Sequence, residues 1–190
     1  MERTRYILAG LIGLGLIVLV SVLIFRGFTG GNANQNVPKA INLNSYASTD
    51  AVAQLVIDTA IVSEQDHRTV KISVSQNQTQ IQILQGYQGE IINSQTFSNN
   101  QASYAVFLRS LALQNFTKGD ADPKKADERG YCPQGRRYIY RLDQYGVPIM
   151  RFWSTSCSQG TFSGNREMVR WLFEHQIPKE DYARITSGLI

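Results

Sequence analysis

Between Arg5 and Arg26 the chain runs for 20 residues, "YILAGLIGLGLIVLVSVLIF" from Tyr6 to Phe25, without a charge. No other feature restricts the fold as strongly. As a helix rising about 1.5 Å per residue, such a run spans the roughly 30 Å hydrocarbon core of a bilayer. Gly10, Gly13 and Gly15 would weaken a helix in water, but glycine is common in membrane helices. The run exceeds the roughly 7–15-residue apolar core of a cleaved signal peptide, and "RGFTGGNANQ" after it lacks a small-x-small cleavage site. No cysteine follows directly, which excludes a lipoprotein anchor, and the glycines do not form a GxxxG pairing motif. The reading is one uncleaved transmembrane helix over 6–25, with 1–5 as a short cytoplasmic tail. Arg3 and Arg5 balance Arg26 and Lys39, so the positive-inside rule alone does not orient it.

Residues 26–44, "RGFTGGNANQNVPKAINLN", combine Gly, Asn and one Pro without a period and read as a flexible linker. Residues 45–190 then have the length of one ordinary domain. The net charge of +4 says little about partners. Four of the 19 basic residues precede residue 40 against Glu2 alone, leaving 15 basic and 14 acidic residues in 40–190. A nearly neutral domain gives no general case for nucleic acid.

The domain reads as α+β: an antiparallel sheet with two packing helices. "AVAQLVIDTAIV" from Ala51 is a near-continuous apolar run whose β-branched residues favour a strand. In "RTVKISVS" Val70, Ile72 and Val74 alternate with polar residues, and "TQIQILQ" repeats the pattern with Ile81 and Ile83, which makes a hairpin. Ile91 and Ile92 mark another strand after "GYQG". The period then changes. Tyr104, Phe107, Leu108, Leu111 and Ala112 form a helical stripe, capped by Asn99 or Asn100, that should cover the sheet. "TKGDADPKKADERG" (117–130) reads as a solvated, mobile loop. Asp120 and Asp122 begin like a calcium loop, but the ligands and Gly that should come after them are missing. A second helix starts at Asn165 with Met168, Trp171, Leu172 and His175 on one face, and a short helix can follow Pro178.

The two cysteines flank "RRYIYRLDQYGVPIMRFW" (136–153). If Asp143–Gly146 is a four-residue loop, facing residue numbers add up to 289, as do those of Cys132 and Cys157. That register expects a disulfide-linked hairpin, and a persisting disulfide places the domain outside the reducing cytosol. It puts Tyr138, Tyr140, Leu142, Val147, Ile149, Arg151 and Trp153 on the core face. Arg137 and Arg141 then point away from the core, and Pro148 marks an edge or irregular strand.

Seven arginines but only three acids lie between 129 and 174. Arginine interleaved with aromatics can hold phosphate and stack bases, which makes Arg137 and Arg141 candidate contacts for DNA or an anionic envelope polymer. The plainer expectation is that the aromatics fill the core and the arginines solvate its outside. No catalytic constellation stands out. Ser154, Thr155 and Ser156 lack a nucleophile elbow, and "EQDHR" (64–68) reads as a charged turn that could at most move a proton. "SQGTFSGN" (158–165) reads as a turn into a helix. There is no CxxC and only His67 and His175, so no metal or cofactor is expected. Sequons at Asn77 and Asn115 matter only in a glycosylating host. The expectation is a non-enzymatic ectodomain held in the cell membrane by 6–25. It binds a protein partner or contributes to an envelope assembly, with anionic-polymer binding as the alternative.

Overall fold

A computed structural model describes residues 41–189. The expected span 6–25 and most of the linker lie outside the described residues, among which no helix is long and apolar enough to cross a membrane. The elements are β1 (Ala51–Asp58), β2 (Arg68–Val74), β3 (Gln78–Gln85), β4 (Glu90–Ser98), α1 (Gln101–Leu113), β5 (Arg137–Gln144), β6 (Val147–Thr155), α2 (Arg166–Glu174) and α3 (Lys179–Ile185). The strands form one six-stranded sheet in the order β4-β3-β2-β1-β5-β6, every neighbouring pair antiparallel. All three helices contribute to a core on one face, where Leu55, Ile72, Ile81, Tyr140 and Leu142 meet Tyr104, Leu108, Phe173 and Ile185.

The strand reading of the apolar run at β1, the period-2 readings of β2 and β3 and the hairpin between them match the structure. Asn100 caps α1 by accepting from the Ser103 amide, and Tyr104, Phe107, Leu108 and Leu111 are buried, whereas Ala112 is exposed. The folded part begins earlier than expected. Leu43, within a 3-10 turn over Leu43–Tyr46, is buried in the core, so 41–44 do not belong to a linker.

On α2 the Asn165 cap is as read, but the buried face differs. Val169 and Phe173 point inward, while Met168 and Trp171 are exposed and Trp171 stacks on His175. Apolar residues lie on two neighbouring stripes of this helix, and Phe173 wins because it meets Phe107 edge-on and Phe116 at 5.9 Å.

The hairpin register also differs. Tyr145 and Gly146 both have positive φ, 52° and 78°, so two residues suffice for the turn and Gln144 pairs with Val147. A bulge at Leu142/Asp143, opposite Pro148, shifts the ladder once more, to Leu142↔Met150 and Tyr140↔Phe152. The resulting displacement from the expected register is three residues. Because it is odd, it exchanges the faces of β6. Met150 and Phe152 join the core beside Tyr140 and Leu142, and Arg151 and Trp153 lie on the other face with Ile139 and Arg141.

Part of that second face is covered by 125–131, which packs on it through a few contacts although most residues of 117–130 are exposed, as expected of a solvated loop. The Trp153 indole N–H donates to Lys125 O, its ring lies 4.9 Å from that of Tyr131, and Arg151 binds Ala126 O and the Glu128 carboxylate. Asp120 pairs with Lys125, and Asp122 caps the 3-10 turn Pro123–Lys125.

Cys132 and Cys157 are bonded with Cα atoms 5.8 Å apart. The pairing is as expected, although the ladder does not produce it. Beyond Arg137↔Thr155 the chain doubles back through a turn at 132–135, closed by the Gly135 amide on Cys132 O, and this takes up the offset.

Candidate functional site

The two nominated arginines are both engaged by acids. Arg137 faces Asp58 across β5 and β1. Its Nε donates to Asp58 Oδ2 at 2.8 Å and its Nη2 to Thr59 O at 2.9 Å, with only 4% of the side chain exposed. Arg137 does point away from the helix-covered core, but it is buried there and not presented to solvent. Arg141 is half-buried and doubly hydrogen-bonded to Asp143.

Asp58 is the centre of a larger cluster. Thr69 Oγ1 donates to Asp58 Oδ1 from the neighbouring strand β2. His67 Nε2 lies 2.8 Å from the same oxygen, off the direction of a ring N–H hydrogen bond, and Nδ1 has no partner among the described residues. The imidazole is 3% exposed because Tyr87 stacks on it at 4.2 Å. Tyr87 is itself held by Val62 O on its hydroxyl and by Glu64 Oε1 on its amide. The "EQDHR" turn therefore supplies one buried imidazole and a clamp for its lid. This arrangement orients charges across β2, β1 and β5, and among the described residues no serine or cysteine side chain is hydrogen-bonded to the His67 imidazole.

The other candidates of the sequence have structural partners. Ser154 Oγ meets the Tyr140 hydroxyl, Thr155 Oγ1 accepts from the Gln159 amide, and Ser156 Oγ accepts from the Arg136 amide. In 158–165 the segment around Gly160 pairs with the end of β6, where the Thr161 and Phe162 amides donate to Trp153 O.

That last contact bears on the edges of the sheet. An edge strand displays a row of unpaired amides and carbonyls that invites another strand. β6 is blunted twice, by Pro148 near its start and by 159–162 along its end. β4 is not blunted. After Glu90 it carries no charge and no proline over the remaining eight residues of "EIINSQTFS". The Asn99 amide donates to Asn77 O just beyond the β3–β4 ladder. Narrow pairs alternate along an antiparallel ladder, so Asn93, Gln95 and Phe97 turn their backbone toward β3. Ser94, Thr96 and Ser98 turn theirs outward, all three are exposed, and no described residue meets their amides or carbonyls.

Ile91 and Ile92, at a bulge against Ile83/Leu84, add exposed apolar surface at the start of the same edge, 55% and 46% accessible. Side chains of α3 steady the strand from the core side, where Gln95 bonds Asp181 and Arg184. The amino-acid pattern discloses this strand but not its openness. A strand marked by Ile91 and Ile92 and without Lys or Pro is the signal, and only the fold reveals its place at the end of the strand order. In comparisons with protein-family models and with curated proteins, nothing matches this chain.

Proposed function

We propose that the chain is a single-pass membrane-tethered extracytoplasmic domain that binds a protein partner, and that the partner adds an extended strand to β4. The observation that carries the reading is the outward row of Ser94, Thr96 and Ser98 on an edge without charge or proline, beside exposed Ile91 and Ile92. Strand addition takes its affinity from backbone hydrogen bonds and its selectivity from alternate side chains. An edge that is neutral from Ile91 to Ser98 suits a partner segment without a row of charges, and the isoleucines suit an apolar residue at one end of it. The tether and compartment rest on the uncharged run 6–25 and on the Cys132–Cys157 bond. Binding of an anionic polymer has less support, since Arg137 and Arg141 are already paired with Asp58 and Asp143.

The test is a photo-crosslinking residue at Ser94 in the full chain on intact membranes, read by mass spectrometry. The expected result is an adduct with another polypeptide that disappears in Thr96→Pro. Proline there removes an amide pointing away from β3, so the sheet survives. Ser94→Lys with Thr96→Lys should weaken the complex in the same way when an affinity tag replaces the crosslinker. No adduct, an adduct indifferent to Thr96→Pro, or an adduct with a second copy alone would overturn the reading.

A further inference from the structure

Arg136 has no carboxylate partner among the described residues, unlike its neighbour Arg137. Its backbone is fixed on both sides: the amide donates to Ser156 Oγ and the carbonyl accepts from the Ser156 amide, next to the Cys132–Cys157 bond. The side chain borders a cleft of about 370 Å³ between the end of β1, the start of β5, α2 and α3. Ile57 and Ala183 line it with apolar surface, and Tyr138 and Tyr182 add rings with hydroxyls.

The remaining charges of the cleft neutralise one another. Arg170 is bound by Glu167 Oε2 at 3.1 Å and lies 3.4 Å from Glu174 Oε1, which also accepts from the Tyr182 hydroxyl at 3.0 Å. Tyr138 stands beside the Arg170 guanidinium. Among the described residues one guanidinium without a carboxylate partner therefore remains at the rim of a concave, partly aromatic space, on backbone held by its two bonds to Ser156. Arg136 also borders a second cleft of about 350 Å³ with Thr59, Gln134, Gly135, Ser156 and Leu189.

We propose that the cleft between β5, α2 and α3 binds a carboxylate that carries a short apolar body, with Arg136 pairing the carboxylate and Tyr138, Tyr182, Ile57 and Ala183 receiving the body. Guanidinium and carboxylate match as a planar two-bond pair. The size is at the small end for ligand pockets, and the lining mixes polar and apolar surface. Glu174 disfavours a dianion such as phosphate, whereas its existing bonds to Arg170 and Tyr182 leave room for a single negative charge at Arg136. The ligand chemistry could come from a free small carboxylate or from the C-terminus of a peptide.

The experiment uses the full chain in detergent micelles and follows NMR resonances of Tyr138 and Ala183. The probes are hexanoate, acetyl-Ala-Leu, the C-terminal amide of acetyl-Ala-Leu, and inorganic phosphate. The expected result is a saturable shift with one or both carboxylates, none with the amide or phosphate, and at least tenfold weaker binding in Arg136→Gln. Arg136→Lys should recover part of the affinity, and Arg141→Gln, outside the cleft, should leave it unchanged. The tighter of hexanoate and acetyl-Ala-Leu names the source. Equal binding of the amide or of phosphate, unchanged binding in Arg136→Gln, or no saturable shift with any probe would overturn the proposal.

Discussion

Asp58 and Arg137 face each other across β1 and β5 with carboxylate and guanidinium 2.7 Å apart, and the arginine side chain keeps 4% of its surface. The pair joins two interior strands of the sheet, and Asp58 is at the same time the acid beside His67. Its removal leaves a buried cation and the Thr69 hydroxyl without their acceptor. Breaking a buried pair from one side is far more costly than replacing both partners. Asp58→Ala should therefore destabilise the domain by about 3–5 kcal/mol. Arg137→Met together with Asp58→Leu should recover much of that loss. Urea midpoints for the two variants decide it, and equal losses in both would remove the pair from the account of stability.

The bond between Cys132 and Cys157 closes a loop of 25 residues and reaches from a turn before β5 to a turn after β6. Reduction should lower stability by about 3 kcal/mol by releasing the unfolded chain from that loop. On intact cells a membrane-impermeant thiol reagent should label neither cysteine before reduction and both after reduction and denaturation. Labelling confined to lysed cells without reductant would place the domain on the other side of the membrane.

Two glycines should respond differently to the same change. Gly160 has φ 147°, and a Cβ there would sit 2.3 Å from Trp153 O and 2.6 Å from Ser154 Cα, backbone atoms that cannot yield. Gly146 has φ 78° in the hairpin turn with open space around it. Gly160→Ala should cost about 2–3 kcal/mol by displacing the segment that covers β6, whereas Gly146→Ala should cost only about 1 kcal/mol. Thermal unfolding of both variants gives the comparison.

Burial pushes the phenols of Tyr104, Tyr140 and Tyr182 well above the ordinary tyrosine range. The unfolded chain would ionise the same groups near about pH 10. Above that pH the unfolded state sheds protons that the folded state keeps, so stability falls as pH rises from there and is unaffected by these groups below it. In an alkaline titration by near-ultraviolet absorbance, Tyr104, Tyr140 and Tyr182 should stay silent until the fold is lost. A smooth titration of every tyrosine with the fold intact would contradict the burial.

Phe173→Ala should cost about 3–5 kcal/mol, since the ring is fully buried against Phe107 and Phe116. Trp171→Ala, two residues away and 47% exposed, should cost far less. The contrast also shows what a sequence can and cannot disclose. The strands β1 to β3 and both side-chain helix caps, Asn100 and Asn165, are legible because β-branched content, period and cap chemistry are local. Which of two apolar stripes of α2 turns inward is decided by partners more than fifty residues away. The hairpin register escapes the sequence because Tyr145 accepts a positive φ that usually selects Gly or Asn, and because the bulge opposite Pro148 leaves no mark in the alternation. The disulfide pair is legible all the same, since a chain with two cysteines offers one intramolecular pairing. Arg137 gives no sign of burial because its partner Asp58 looks like an interruption at the end of an apolar run. Arg136 and the β4 edge acquire meaning only once the strand order and the packing of α2 and α3 are known.

The first strand, β1, is an interior strand held by β2 on one side and β5 on the other. A mechanical pull delivered from the side of residue 41 thus reaches the sheet through its middle. Once the Leu43–Tyr46 turn has been drawn out, such a load must slide β1 past both neighbours together, where pulling on an edge strand would peel one ladder bond by bond. The resistance of the domain to such a load is then set by two ladders at once.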